Sequence, residues 1–289
     1  MSDHATAGVI TRWYADAARD LPWRAPGRSP WGVLVSEIML QQTPVARVLP
    51  AWHDWMSRWP TATALAGSSP GDAVRAWGRL GYPRRALRLH SCAVRIRDDH
   101  GGQVPSTYDA LRALPGVGDY TAAAVAAFAF GAALSVLDTN VRRVYARLHD
   151  GNADAVTASP TVAERRAAAA RLPQQDAATY SVAVMELGAL VCTARSPGCS
   201  QCPVARDCRW LAAGRPAADA VRRPQDYEGT DRQARGRLLA VLRDATGPVP
   251  QHLLDAVWPD ETQRRRALQG LVVDGLVQPD GDGCYRLPA

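Results

Sequence analysis

The sequence predicts an all-α protein that ends in a small domain of different pattern. Apolar residues recur at helical spacing from the first residues to about 212, and no stretch in that range alternates apolar and polar residues. Short Pro and Gly breaks separate the helical segments. With 289 residues, the chain has room for one large domain and a small one, or for two lobes and a tail.

The composition indicates a polyanionic partner without naming it. The formal net charge is +6, and all 34 basic side chains are arginines, so the chain has no lysine. A GC-rich genome explains this bias, yet its chemical consequence is that no lysine side chain can form a Schiff base. The longest apolar run, residues 122–137, is too short to span a bilayer, and no leader segment opens the chain. We therefore expect a cytoplasmic protein without a membrane partner.

The first two helical segments, 1–20 and 31–42, are separated by a Leu-Pro-Trp-Arg break. The second segment is almost wholly apolar and carries one acid, Glu37, on the same face as Val33 and Leu40. Burial raises the pKa of a carboxyl group, which makes Glu37 a candidate general acid near neutral pH. A structural Glu that bonds a backbone group or an arginine is an equal alternative from this helix alone.

Four more helical segments precede the centre of the chain, and their tryptophans have the spacing of core residues. These segments are 46–59, 62–66, 70–79 and 83–99, and the tryptophans are Trp52, Trp55, Trp59 and Trp77. Tyr82 lies in a Gly-Tyr-Pro break, where we expect its side chain to point outward. The cluster formed by Arg84, Arg85 and Arg88 follows it and contacts phosphate or forms a solvated face.

A tight Pro-Gly-Val-Gly turn between two helical segments predicts a helix-hairpin-helix. We expect Ser106 to cap the first helix and Asp119 to cap the second. Gly116 and Gly118, with Val117 between them, leave backbone N–H groups open to a nucleic-acid phosphate. An ordinary αα-hairpin has the same local pattern, so this spacing alone leaves DNA binding and plain packing open.

Asp138 stands at the start of the next helix, whose apolar face includes Val141 and Val144. An aspartate in this position is most often an N-cap and nothing more. A catalytic role is compatible with capping, because a helix N-terminus keeps a carboxylate ionised, as a group facing a developing cation must be.

A four-cysteine loop follows two further helical segments, 161–172 and 176–191, and has the spacing C-x6-C-x2-C-x5-C. Its members are Cys192, Cys199, Cys202 and Cys208. In a chain without signs of export, four thiols this close indicate a metal site rather than disulfides. Zinc and an iron–sulfur cluster are the alternatives, and a single C-x-x-C with long arms favours the cluster. Cys92 and Cys284 are left as structural residues.

The C-terminal region begins after a polar linker, 213–229. Helical patterns near 232–245, 250–257 and 260–274 precede a short hairpin around Asp-Gly-Asp-Gly, which suggests a winged helix-turn-helix. Three successive arginines, residues 264–266, lie on its third helix, where they either read DNA or contact another protein.

Four features, in this order, resemble the endonuclease III superfamily of helix-hairpin-helix DNA glycosylases, and within it the MutY-type adenine glycosylases. They are Glu37 before Gln-Gln-Thr, the LPGVG hairpin, VLDTNVRRV around Asp138, and the cysteine spacing; LGY and MELGA point to the adenine branch. The resemblance covers about residues 8–212. It implies two all-α lobes with the active site in the cleft between them and a [4Fe-4S] cluster on the four-cysteine loop. The implied parts are an N-terminal segment (1–24) packed on the cluster lobe, a six-helix barrel lobe (25–131) and the cluster lobe (132–212). The linker (213–229) and the winged-helix-like domain (230–289) are predicted from the sequence pattern and lie outside the resemblance.

The resemblance also implies an activity, namely removal of adenine mispaired with 8-oxoguanine or guanine after the base is flipped out of double-stranded DNA. Glu37 is implied to protonate adenine N7 and Asp138 to stabilise the cationic sugar. The remaining implied roles are positioning of the acids for Tyr120 and Asn140, wedging into the base stack for Gln41, Gln42 and Tyr82, and lining of the adenine pocket for Arg24 and Trp31. A monomer acting at the nucleoid is expected.

Position 120 bears on the reaction type, since bifunctional relatives place a lysine there that cuts the strand. The chain has Tyr120 instead, so the expected enzyme is monofunctional and leaves an abasic site. Two alternatives stay open: a thymine or uracil mismatch glycosylase of the same superfamily, and a non-catalytic iron–sulfur DNA-binding protein. Glu37 favours adenine because N7 protonation suits a purine, and binding alone needs neither carboxylate.

Overall fold

The computed structural model describes residues 3–217 and 227–289, which form helices and one small sheet. The helices are α1 (Asp3–Ala17), α2 (Pro30–Leu40), α3 (Val45–Arg58), α4 (Ala62–Ala66), α5 (Pro70–Trp77), α6 (Arg84–Asp99), α7 (Tyr108–Arg112), α8 (Asp119–Phe130), α9 (Thr139–Tyr145), α10 (Val162–Ala170), α11 (Ala177–Leu190), α12 (Arg209–Ala212), α13 (Asp231–Asp244), α14 (Gln251–Asp255) and α15 (Glu261–Val273). The strands are β1 (Val249–Pro250), β2 (Gln278–Pro279) and β3 (Cys284–Arg286). Nothing in the described ranges is a helix both long and apolar enough to cross a membrane.

The described residues divide into two compact units. The first unit comprises residues 3–33, 106–112 and 117–217, and the second comprises 34–105, 113–116 and 227–289. Helix α2 begins in the first unit and continues into the second, so most of that helix, including Glu37, belongs to the second unit.

The core of the first unit lies where α1, α9 and α11 meet. Ile10, Val144 and Leu187 are at most 2% exposed there, because each helix turns its apolar stripe toward the other two. Cys192 and Cys208 pack on the edge of the same core. The apolar core therefore supports the start of α9 and the four-cysteine loop together.

The second unit has an aromatic core. Trp55 on α3 packs edge-on against Trp59 and Trp77, with ring centroids 4.7 and 5.6 Å apart. Trp55, Trp59 and Trp77 are buried, which confirms that they are core residues, whereas Trp52 is only half-buried.

The C-terminal part of the second unit has winged-helix-like architecture: helices α13–α15 and an antiparallel sheet of order β1-β3-β2. It is docked on α5 by reciprocal arginines. Arg75 donates to Arg243 O (3.0 Å) and Ala245 O (2.9 Å), and Arg243 donates to Val74 O (3.0 Å). Gly71 N also donates to the carbonyl oxygen of Pro288 at 2.7 Å. The domain is thereby fixed to α5 within the second unit, which also contains Glu37.

All three arginines of α15 are engaged by acidic residues of their own domain. Arg264 donates to Asp255 Oδ1 at 2.9 Å, and Arg266 forms a two-pronged pair with Asp231. Arg265 pairs with Glu261 one turn earlier. Because each cation already has a carboxylate partner, this helix offers a DNA phosphate less attraction than its sequence suggests.

Candidate active site and nucleic-acid interface

Asp138 is the N-cap of α9, as the sequence predicted. Its Oδ1 accepts from Val141 N at 2.7 Å, and its Oδ2 accepts from Asn140 Nδ2 at 2.8 Å. Burial nevertheless raises the pKa of Asp138 above the usual 3.8, although these hydrogen bonds and the Arg143 charge oppose the rise. Desolvation thus outweighs the donors in setting the direction of this pKa shift.

Asn140 is held in one orientation by the residues behind it. Arg143 Nη2 donates to Asn140 Oδ1 at 2.7 Å, which directs the amide Nδ2 toward Asp138. Arg143 also donates to Gly188 O and Cys192 O, each at 2.8 Å. A chain of hydrogen bonds thus joins the Asp138 carboxylate to the backbone of the first loop cysteine.

A second arginine, Arg147, contacts the four-cysteine loop. Arg147 Nη1 lies 3.4 Å from Cys192 Sγ, and the guanidinium stacks 4.4 Å from the Trp210 ring centroid. All four thiols are free, and burial raises the pKa of Cys202 to about 11, with smaller contributions from the other three thiols.

Four cysteine thiols are the ligand set of a [4Fe-4S] cluster, in which each cysteine binds a different iron, so the chemistry of these side chains fits that cofactor. In residues 3–217 and 227–289, no three His, Cys, Asp or Glu side chains are grouped for a single metal ion. Cys92 is fully buried in α6, and burial raises the pKa of its thiol to about 12, as suits a structural residue.

A buried acid, which the sequence analysis did not single out, pairs with Arg24 of the predicted adenine pocket. Glu186 on α11 is 0% exposed and accepts from Arg19 Nε at 2.7 Å and Nη2 at 2.6 Å. Arg24 Nη1 lies 3.0 Å from Glu186 Oε2, the oxygen that Arg19 Nη2 also contacts. Burial favours the neutral acid, but the Arg19 hydrogen bonds and the Arg24 charge hold the pKa of Glu186 below its usual value. The acid in the otherwise apolar MELGA segment was the available signal.

Trp31 and Tyr120 also lie in the first unit. Trp31 is 4% exposed at the start of α2. Tyr120 is partly buried on α8 and packs against an alanine-rich core that includes Ala124 and Val136. Both side chains are therefore fixed by packing.

Glu37 lies in the second unit and is 5% exposed on α2. Every residue from 31 to 39 is buried, so the acid is not a solvated surface charge, as the helical pattern predicted. The carboxyl group is thus largely shielded from water.

Gln41, Gln42 and Tyr82 lie at two neighbouring turns of the second unit. Tyr82 is 53% exposed, which confirms the expectation that it points outward. Gln42 (φ 56°) and Tyr82 (φ 46°) both adopt left-handed backbone conformations, which are uncommon for residues other than glycine. The second of the three arginines after Tyr82, Arg85, is buried, and Arg84 pairs with Asp274 at 3.2 Å.

The hairpin turn requires glycine at Gly116, whose φ is +78° and whose added Cβ would lie 2.8 Å from Arg88 Cβ. The Arg88 side chain is exposed beside this turn, and it forms no ion pair within the described residues. An unpaired cation at a turn with open N–H groups suits a phosphate.

The two helices of the hairpin begin differently from the sequence prediction. Gly118 is the N-cap of α8, and Asp119 is its first residue; the Asp119 carboxylate pairs with Arg112 (2.6 Å) and Arg165 (3.3 Å) instead of capping. The first helix, α7, begins at Tyr108, with Thr107 Oγ1 accepting from Ala110 N at 3.4 Å, so Ser106 is not its cap. Two arginines thus offset the negative charge at the hairpin.

The predicted site residues fall into two groups, one in each unit. The first unit holds Arg24, Trp31, Val117, Gly118, Tyr120, Asp138, Asn140 and the four cysteines. The second unit holds Glu37, Gln41, Gln42, Tyr82 and Gly116.

Comparisons with known proteins identify the family of the chain. Residues 35–170 match the HhH-GPD superfamily base excision DNA repair protein family. The chain is 55% identical over 279 residues to the adenine DNA glycosylase of Mycolicibacterium smegmatis, covering 96% of this chain and 94% of that protein. It is 54% identical to the Mycobacterium tuberculosis H37Rv enzyme of the same name, covering 99% and 94%, and 41% identical to the Homo sapiens one, covering 71% and 39%.

Solved structures share the fold. A thermostable thymine-DNA glycosylase superposes with a TM-score of 0.67 at 26% identity, covering 73% of this chain and 97% of that one. An endonuclease III trapped in a covalent intermediate with DNA superposes with a TM-score of 0.62 at 23% identity, covering 74% of this chain and 99% of that one. At this identity the match supports the fold and nothing further. Because relatives that share more than half of its residues match almost its whole length, this chain belongs to the adenine DNA glycosylase family of the HhH-GPD superfamily.

Proposed function

We propose that this protein removes adenine mispaired with 8-oxoguanine or guanine from double-stranded DNA, and that it does so by hydrolysis. The observation that carries the proposal is the Asp138 carboxylate, fixed by Val141 N and Asn140 Nδ2 in a chain of this family. A carboxylate held without freedom to rotate is preorganised to face a cation that forms during the reaction.

The two acids have different roles in the proposed reaction. Glu37, kept from water on α2, donates a proton to adenine N7, so the base leaves with the electron pair of its bond to the sugar. Asp138 stabilises the positive charge that develops on the sugar, to which water adds with loss of a proton. Asn140 fixes the Asp138 carboxylate, and Tyr120 is assigned to the same positioning set.

The proposed product is an abasic site in an uncut strand. Strand cleavage by related enzymes requires a lysine amine that forms a Schiff base with the opened sugar. This chain contains no lysine and has Tyr120 at the corresponding position. We therefore expect strand breaks only after alkali treatment.

DNA is proposed to be held at two places. The N–H groups around Gly116, Val117 and Gly118 bind a phosphate, with Arg88 beside them. The turn at Gln41 and Gln42 and the exposed Tyr82 enter the base stack while the adenine is flipped out.

The flipped adenine is proposed to meet Arg24 and Trp31. Trp31 is buried and offers an aromatic surface, and Arg24 is aligned by Glu186. Because Glu186 is buried and ionised beside two arginines, it fixes the polar edge of the pocket.

A [4Fe-4S] cluster is proposed for Cys192, Cys199, Cys202 and Cys208, where it would hold the loop in one conformation. The test of this cofactor is absorption at about 400 nm together with iron and zinc analysis of protein isolated without oxygen. Colourless protein that contains zinc would overturn it. We further propose that the enzyme acts as a monomer at the nucleoid.

The decisive experiment measures single-turnover base release from four duplexes: A opposite 8-oxoguanine, A opposite G, T opposite G and A opposite T. Adenine loss opposite 8-oxoguanine, with breaks only after alkali, is the expected result. Thymine release would support the second candidate, a thymine mismatch glycosylase, which the structural match to a thymine-DNA glycosylase favours. No release from any duplex by protein with its metal content intact would indicate a DNA-binding protein.

A further inference from the structure

Two turns of the second unit have backbone conformations that need support from their surroundings. Gln42 and Tyr82 have φ values of 56° and 46°, a region that side chains with a Cβ rarely adopt. Such conformations persist only when surrounding contacts hold them, and they concentrate at sites that grip ligands. The contacts that hold these two turns therefore bear on their function.

One buried guanidinium holds the first of these turns. Arg85, which is 6% exposed, donates from Nη1 to the carbonyl oxygens of Ile38 (2.9 Å), Met39 (3.0 Å) and Gln41 (2.6 Å). The last carbonyls of a helix have no partner within it, so Arg85 serves as the C-terminal cap of α2. It thereby fixes the direction in which the chain leaves α2 at Gln42.

The other nitrogen of the same guanidinium holds the second turn. Arg85 Nη2 donates to Thr43 Oγ1 (2.9 Å) and Gly81 O (3.1 Å), and it lies 3.4 Å from Leu80 O. Thr43 Oγ1 in turn donates to Leu80 O at 3.2 Å. The ring centroid of Tyr82 lies 5.6 Å from the guanidinium carbon. The two turns are thus joined through a single side chain.

We propose that Arg85 is a positioning residue that holds the Gln41–Gln42 turn and the Tyr82 turn as one two-part wedge for DNA. This inference rests on the proposed function. The two Nη atoms of an arginine can donate to two different turns at once, whereas lysine has a single nitrogen. Arginine is therefore required at this position. Within the described residues Arg85 has no acidic partner, which leaves its donors to the carbonyls and Thr43.

The test compares Arg85→Lys with Arg97→Lys, a control on the same helix. Arg97 also donates to a helix carbonyl, Ala66 O at 3.0 Å, but far from either turn in sequence. The first readout is the fluorescence rise of 2-aminopurine placed beside the target adenine, which reports unstacking on binding and needs no bond cleavage. We expect Arg85→Lys to lose most of this rise and about 100-fold in single-turnover rate, and Arg97→Lys to retain both.

A double-mutant cycle separates positioning from folding. In a Gln42→Ala/Tyr82→Ala background the wedge is already absent, so adding Arg85→Lys should cost less than about threefold. The same loss in both backgrounds, or no loss in either, would overturn the inference. If Arg85→Lys fails to fold, Thr43→Val removes one bridge between the turns and should show the same background dependence with a smaller loss. If the wild-type protein unstacks the duplex but releases no base, the proposed function is wrong. The 2-aminopurine fluorescence of the Arg85→Lys and Arg97→Lys variants then still tests the role of Arg85 in positioning the two turns.

Discussion

At the scale of single residues, the position of Asp138 unites two demands. As an N-cap it satisfies the free N–H of Val141, and as the proposed electrostatic partner of the sugar it must be ionised. Burial raises its pKa while Asn140 and Arg143 lower it. The proposed chemistry therefore depends on the donors around this carboxylate as much as on the carboxylate itself.

Replacing Asp138 by Asn separates the cap from the charge. Asparagine caps helices about as well as aspartate, so the free energy of unfolding should change by less than ~1 kcal/mol. The single-turnover rate should fall at least ~100-fold, because the charge that stabilises the sugar cation is removed. Denaturant unfolding and base release measure the two effects, and a variant that keeps the wild-type rate would remove Asp138 from the mechanism.

Removing the amide of Asn140 should move the acidic limb of the pH–rate profile. Asn140 Nδ2 donates to the charged form of Asp138 and so lowers its pKa; Asn140→Ala raises that pKa further. Since Asp138 must be ionised, the rate of the variant should begin to fall at a higher pH than the wild-type rate as pH decreases.

The matched control for this profile is Asn152→Ala, an asparagine of the same unit outside the Asp138 network. Single-turnover rates of all three proteins between about pH 4 and 8 give the comparison. An acidic limb that does not move in Asn140→Ala would show that the amide does not tune Asp138.

At the scale of elements, the close approach of α9 and α11 fixes the site. Gly188 on α11 lies against Asn140, and a Cβ added there would lie 2.7 Å from Asn140 Cβ and 2.8 Å from its carbonyl oxygen. Arg143 and the Gly188 carbonyl tie the same two helices together. The orientation of Asp138 is therefore set by a contact between helices as well as by its own cap.

Gly188→Ala should push α9 away from α11. We expect a loss of ~2 kcal/mol in the free energy of unfolding, as for overpacking in a close-packed interior, and a lower base-release rate from the displaced Asn140. Gly67→Ala is the control, because its added Cβ would have ordinary contacts of 3.6 Å and its φ is negative. Equal stability of the two variants would contradict the structure at this contact.

Local sequence patterns predicted most helices, but they did not predict side-chain contacts between residues that are distant in sequence. Helix α4 matches its predicted range of 62–66, and several others begin or end within about two residues of prediction, because apolar period and caps act locally. Glu186 was missed as the anchor of Arg24 because its first partner, Arg19, is 167 residues away. Arg84 and Arg85 are adjacent and cannot be told apart from the sequence. In the folded protein Arg85 is buried by residues distant in sequence, whereas Arg84 is exposed and pairs with Asp274. The predicted domain limits remain predictions.

At the scale of the whole molecule, the arginines differ in whether an acidic side chain already neutralises them. Many arginines pair with carboxylates, including Arg95 with Asp99 at 2.6 Å on α6. Arg88, on the same helix and beside the hairpin, has no such pair among the described residues. The net charge of +6 therefore does not by itself identify which arginines are free to bind DNA, because pairing with carboxylates differs from one arginine to the next.

Neutralising Arg88 should weaken binding to every duplex by a similar factor. If Arg88 binds one phosphate, Arg88→Gln should make the slope of log affinity against log salt shallower by about 1. Arg95→Gln is the matched control, since Arg95 is paired on the same helix, and it should leave the slope nearly unchanged. Fluorescence anisotropy across a salt series measures both, and identical slopes for the two variants would exclude a phosphate contact by Arg88.

Arg75 on α5 and Arg243 on α13 attach the C-terminal domain through hydrogen bonds to backbone carbonyls, whereas DNA binding depends on attraction between opposite charges. Arg75 and Arg243 donate to peptide carbonyls, which carry no net charge, so dissolved ions screen these contacts far less than they screen arginine–phosphate attraction. Affinity for nucleic acid falls steeply as salt rises, because counterions compete for the phosphates. A high-salt wash during purification should therefore strip bound nucleic acid while the C-terminal domain stays seated on α5.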